Sequence, residues 1–155
     1  MATSKNPRKP YVRRWSAGHM LLPEQRDAIA MPVHVAVSAF EFGAGTTTLR
    51  HTIAAFLNIA SLLSNKLQSA EETPVIIERA MNALVSADHR FIATGKWGFS
   101  GPEMIAIREA VSVGDMLIKR ANSVMLAAIV ERVHVMNSMT PDNIGTVEAP
   151  LGVAA

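Results

Sequence analysis

The sequence predicts an all-α protein, an antiparallel four-helix bundle, and three observations carry that expectation. Apolar residues recur at helical spacing in four stretches, the joints between them are short and rich in glycine, proline and capping residues, and no stretch alternates with the period of a strand. Short joints favour neighbouring helices that run in opposite directions. The expected organisation is a basic flexible arm over residues 1–20, a helical bundle domain over 21–138 and an irregular tail over 139–155.

Residues 46–68 hold the clearest signal. Leu49, Ile53, Phe56, Ala60, Leu63 and Leu67 follow one another at steps of four and three, so they fall along one seam of a helix. Leu57, Ile59 and Leu62 widen the apolar face on both flanks, which marks this helix for the centre of the bundle. Thr46 or Thr47 supplies the cap.

The helix before it starts near Pro23, with Glu24 and Asp27 complementing the dipole of its first turn. Pro32 either kinks that helix or splits it into 23–30 and 33–42, and one kinked helix is the preferred expectation. Val33, Ala36, Val37 and Phe40 form its inward stripe, and Gly43 and Gly45 end it. A third helix restarts at Thr73 and Pro74, places Ile76, Ala80, Ala83, Leu84, Ala87 and Phe91 on one stripe, and stops at Gly95.

Ser100 and Glu103 read as a capping box that opens the longest helix, to about residue 136. Its small-residue stripe is Ala110, Gly114, Leu117, Ala121, Val124 and Ala128, and Val111, Ile118, Met125 and Ile129 make a second row. Two apolar rows on one helix imply burial on two sides, by the bundle or by a second copy of the chain. Beyond it, Pro141, Gly145, Pro150 and Gly152 indicate irregular structure.

Bulk properties narrow the function classes. A chain of 155 residues, 49% hydrophobic, suits one domain with one core. The absence of cysteine removes disulfides, thiolate metal sites and a cysteine nucleophile, and fits a reducing compartment, the cytoplasm being the expectation. Charges interrupt every apolar segment before it reaches the length of a membrane span, and the N-terminus has no apolar run of signal-peptide length, so no membrane association is expected. Lys5, Arg8, Lys9, Arg13 and Arg14 are five of the 15 cations and precede every acid; the remaining ten face all 13 acids, a net of −3 on the body.

That arm is the first candidate site. Lys5, Arg8, Lys9, Arg13 and Arg14, interleaved with Tyr11 and Trp15, suit contact with nucleic acid or an acidic partner, cations on phosphates and rings stacked on bases. Five such contacts give a log-log salt slope of at most about −4.5. The competing expectation is a solvated tail.

Lys96, Trp97 and Phe99 are the second candidate, aromatics beside a cation in a loop, as protein-interface anchors are. Their alternative is to fold back and plug the end of the bundle. Glu131 and His134 have the three-residue spacing of a helical carboxylate metal site, but no second copy exists on another helix, so no metal is expected. The run from Gly43 to Thr48 lacks the lysine of a phosphate loop, and adjacent Asp88 and His89 point apart on a helix, so neither a cofactor nor catalysis is expected.

Lys9, Pro10, Tyr11, Arg13 and Arg14, then Arg26 to Ala30 and the segment 34–40, resemble small uncharacterised proteins of bacteriophages and related mobile elements in proteobacteria, which pair a K-x-Y-x-x-R-type arm with a helical body. The resemblance covers about the first third of the chain, and Pro32 departs from its pattern. It implies a mobile-element setting and accessory or host-facing work. The functional expectation is a non-enzymatic helical binding protein that acts on an unidentified protein partner, with inhibition of a host factor or defence complex as one form. Nucleic-acid binding through the arm and a structural homo-oligomer are the alternatives.

Overall fold

Five α-helices span residues 18–139, the part of the chain that the computed structural model describes: α1 Pro23–Glu41, α2 Thr47–Lys66, α3 Glu72–Thr94, α4 Gly101–Arg120 and α5 Ser123–Met139. The all-helical class holds. No helix among the described residues is long and apolar enough to cross a membrane.

α2 is the centre, because it touches each of the other four helices. Ile53, Phe56, Leu57, Ile59, Ala60 and Leu63 are all buried, so the seam and both flanks, Leu57 on one side and Ile59 on the other, face partners as their spacing requires. The Thr46 hydroxyl caps the helix, accepting from the Leu49 amide at 3.2 Å.

α1 is one helix running through Pro32. The proline ring is exposed, and the carbonyl it leaves without an amide donor belongs to exposed Ala28, where water can reach it. Val33, Ala36, Val37 and Phe40 point into the core. The joint to α2 depends on glycine twice: Gly43 has a φ of +73°, and a Cβ on Gly45 would lie 2.7 Å from the Phe40 ring.

α3 starts earlier than expected. Glu71 is its cap residue without a side-chain bond and Thr73 is already inside the first turn, so the threonine hydroxyl does not cap. Pro74 is tolerated there because first-turn amides have no partner within the helix. Gly95 ends α3 in the left-handed region at φ 69°.

The single long last helix is corrected to two. Ala121 turns extended, and Asn122 Oδ1 accepts the Met125 amide at 2.8 Å, which caps α5 afresh. The open joint pairs with the chain ahead of α1: His19 O accepts the Ser123 amide at 2.9 Å, and Met20 bridges Asn122. Gly18 fits beneath, since a Cβ there would meet Asn122 Oδ1 at 2.8 Å and Val124 at 2.9 Å.

The break re-aims both apolar rows. Ala110, Gly114, Leu117 and Ala121 are buried, whereas Val124 and Ala128, expected on the same stripe, are exposed. Val111, Ile118 and Ile129 are buried, and Met125 is half-buried, within the one chain. A second copy is therefore not needed to cover that row.

Side-chain pairs record how α4 meets its neighbours. His34 pairs with Asp115 and Glu41 with Arg108, so sequence numbers rise along α1 as they fall along α4. Arg79 with Glu109 and Arg90 with Glu103 show the same reversed order between α3 and α4.

Candidate functional site

Of the candidates in the sequence, Lys5, Arg8, Lys9, Tyr11, Arg13, Arg14 and Trp15 lie outside the described residues. The loop after α3 lies within them. Trp97 stacks on Phe91 with centroids 4.2 Å apart and planes 8° from parallel, and meets Phe40 edge-on at 6.4 Å. Its indole N–H donates to Thr47 Oγ1 at 3.2 Å. Phe99 lies against Phe40 at 4.6 Å. Both rings are half-buried against the core, so they plug the end of the bundle and Lys96 is left exposed.

Arg90 holds that loop in place. Its guanidinium donates to the Gly98 carbonyl and, at 2.8 and 3.0 Å, to both oxygens of Glu103. Glu103 also accepts the Ser100 amide at 2.7 Å, the expected capping contact. Burial raises the affinity of Glu103 for a proton, but the bonds from Arg90 and Ser100 outweigh it and hold the carboxyl below its ordinary 4.5.

The remaining polar motifs are separated by the fold. Asp88 is clamped by Arg50 while the adjacent His89 is exposed. Glu131 and His134 are both exposed on α5. No group of three His, Asp or Glu side chains that could hold a metal occurs among the described residues.

Two features of α1 do stand out, and neither was singled out from the sequence. The first is its outer face. Met31 and Val35 are 60% and 58% exposed, Phe42 in the turn just past the helix end is 84% exposed, and with exposed Ala28 and Ser38 they follow steps of three and four. That is the spacing of a coiled-coil seam. The signal was present in the sequence, but the inward stripe of the same helix drew the stronger period.

The second is a cleft of about 190 Å³ between α1 and α4, lined by Arg26, Asp27, Ala30, Met31 and His34 on one side and Asp115, Ile118 and Lys119 on the other. His34 Nε2 and Asp115 Oδ2 lie 2.8 Å apart across it. Arg26 Nε and Asp115 Oδ1 are buried and have no hydrogen-bond partner. These residues sit on adjacent rows of their helices, and only the register that sets residue 34 against residue 115 brings the two sets together.

The class so defined is an all-helical protein with a closed aromatic end, an apolar outer stripe and a charged interhelical cleft. Comparison with protein families, with curated proteins and with solved structures gave no match.

Proposed function

We propose that the chain is a non-enzymatic helical binding protein, of the bacteriophage accessory kind that its first third resembles, acting in the host cytoplasm on a protein partner. The α1–α4 core has the up-down-up-down antiparallel order in this proposal, supported by the short joints and by the reversed ion-pair order of α4 against α1 and α3. The observation that carries the functional reading is the exposed row Met31, Val35 and Phe42. Large apolar groups one turn apart on a helix face, here Met31 and Val35 with Phe42 at the helix end, are how a helix engages a helix or groove of another protein. Inhibition of a host factor or defence complex is one activity such occlusion would produce.

The test is capture from a proteobacterial lysate by three forms of the protein: wild type, a Met31→Glu/Val35→Glu/Phe42→Ser variant with an unchanged circular dichroism spectrum, and a chain lacking residues 1–14. The reading expects one discrete protein held by wild type and by the shortened chain and lost from the stripe variant. Equal capture by the stripe variant refutes it. A second reading, nucleic-acid contact by Lys5, Arg8, Lys9, Arg13 and Arg14, is favoured by their clustering ahead of an acidic body. It expects salt-sensitive retention of nucleic acid that disappears with residues 1–14. A homo-oligomer now rests on the α1 stripe rather than on the last helix, and light scattering of the stripe variant against wild type separates it from binding to another protein.

A further inference from the structure

The α1–α4 cleft has an inventory that the outer stripe does not explain. Two of its lining residues keep a buried polar atom without a hydrogen-bond partner, the donor Arg26 Nε and the acceptor Asp115 Oδ1. Buried polar groups are almost always satisfied, and leaving one unmet is destabilising. Arg26 and Lys119 bring two positive charges, and Asp27 and Asp115 bring two negative ones. An anion would answer only the first pair and a cation only the second, while a molecule with both signs answers all four groups. Ala30, Met31 and Ile118 add an apolar wall. The volume of about 190 Å³ is room for about six waters at ~30 Å³ each, or for an organic molecule of comparable size.

We propose that this cleft binds a small zwitterion of α-amino-acid size, its carboxylate held by Arg26 and Lys119, its ammonium by Asp115 and Asp27, and its apolar side chain against Met31 and Ile118. The His34–Asp115 hydrogen bond fixes the orientation of the Asp115 carboxylate at the wall of the cleft. The site does not rest on the partner-binding reading: it shares only Met31 with the outer row, and the Arg26 and Asp115 variants that test it leave that row intact.

The test titrates the full chain with L-leucine, and in parallel with 4-methylpentanoate, which lacks the ammonium, and with isoamylamine, which lacks the carboxylate. Proton–nitrogen correlation spectra follow the Arg26 Nε–H and His34 ring signals. The expected result is a saturable shift with L-leucine and binding about tenfold weaker or worse for each single-charge analogue, as loss of one charged hydrogen bond implies. Arg26→Gln and Asp115→Asn should each weaken L-leucine by a similar factor, and Lys119→Gln, at an exposed position, serves where either fails to fold. No saturable shift up to about 10 mM, the regime of affinities weaker than millimolar, overturns the proposal and leaves water as the occupant. Equal binding of all three probes, or of L-leucine to the variants, overturns it as well.

Discussion

Arg50 grips Asp88 with two prongs across the α2–α3 interface: Nε donates to Oδ1 at 2.8 Å and Nη2 to Oδ2, with the side chains only 15% and 11% exposed. Arg50 lies in the first turn of α2, where a cation opposes the helix dipole, and the carboxylate offsets that charge. Removing one member of a buried pair strands the other, at about 3–5 kcal/mol, whereas an apolar replacement of both is often neutral. Arg50→Ala should therefore lower the urea midpoint strongly, and Arg50→Met/Asp88→Leu should recover most of it. Urea denaturation followed by circular dichroism measures both, and a double variant no better than the single one would contradict the account.

Gly114 lets α4 pack directly against the Phe56 ring and Ala60 of α2. A Cβ there would run into the edge of the Phe56 ring, 2.8 Å from Cζ, and Phe56 is itself buried. Alanine gains up to about 1 kcal/mol of helix propensity, but overpacking costs about 1–3 kcal/mol. The expected outcome is that Gly114→Ala melts at a lower temperature than wild type and that adding Phe56→Leu brings the melting point back up. A Gly114→Ala protein more stable than wild type would show that the interface has slack.

Glu103 makes stability depend on pH in one direction. Its carboxyl is held below 4.5 in the folded chain by Arg90 and Ser100 against the opposing effect of burial, so around that pH the unfolded chain binds more protons. Its contribution is complete above 4.5 and is lost as pH falls through the depressed folded value. Glu103→Gln should be less stable than wild type at pH 7 by about 1 kcal/mol, the scale of one cap, and the gap should close in acid. Urea midpoints of the two proteins between neutral and acidic pH check this; a constant gap would assign the loss to packing instead.

Trp97 holds the end of the bundle by two separable kinds of contact, ring packing on Phe91 and Phe40 and a hydrogen bond to Thr47. Trp97→Phe removes the hydrogen bond to Thr47 but keeps a ring on Phe91, so it should cost about 1 kcal/mol. Trp97→Ala also empties the plug and should cost about 2–3 kcal/mol, less than for a fully buried tryptophan because the ring is half-buried. Thermal unfolding distinguishes the two, and a neutral Trp97→Ala would mean the ring serves an outside partner.

Much of the architecture was legible because it is written in short-range terms. The period of Leu49 to Leu67, the Thr46 cap, the left-handed Gly43 and Gly95, and the Ser100 and Glu103 pair each involve residues within a turn or two of one another. The α4–α5 break was missed because Ala110, Gly114, Leu117, Ala121, Val124 and Ala128 keep helical spacing straight through it. Asn122 was the local hint, a capping residue inside an apolar run, but what stabilises the break is His19 and Met20, about a hundred residues away in the chain.

Period and composition were enough to establish a helical chain with a central α2, since one apolar face on a helix requires cover wherever it comes from. They could not say which polar groups would meet. Whether Trp97 points out or lies on Phe91, whether Asp88 serves His89 or Arg50, and whether Arg26 and His34 share a cleft with Asp115 all depend on helix register. Register is settled by the packing of whole faces at once, and no pair of neighbours in the sequence carries it.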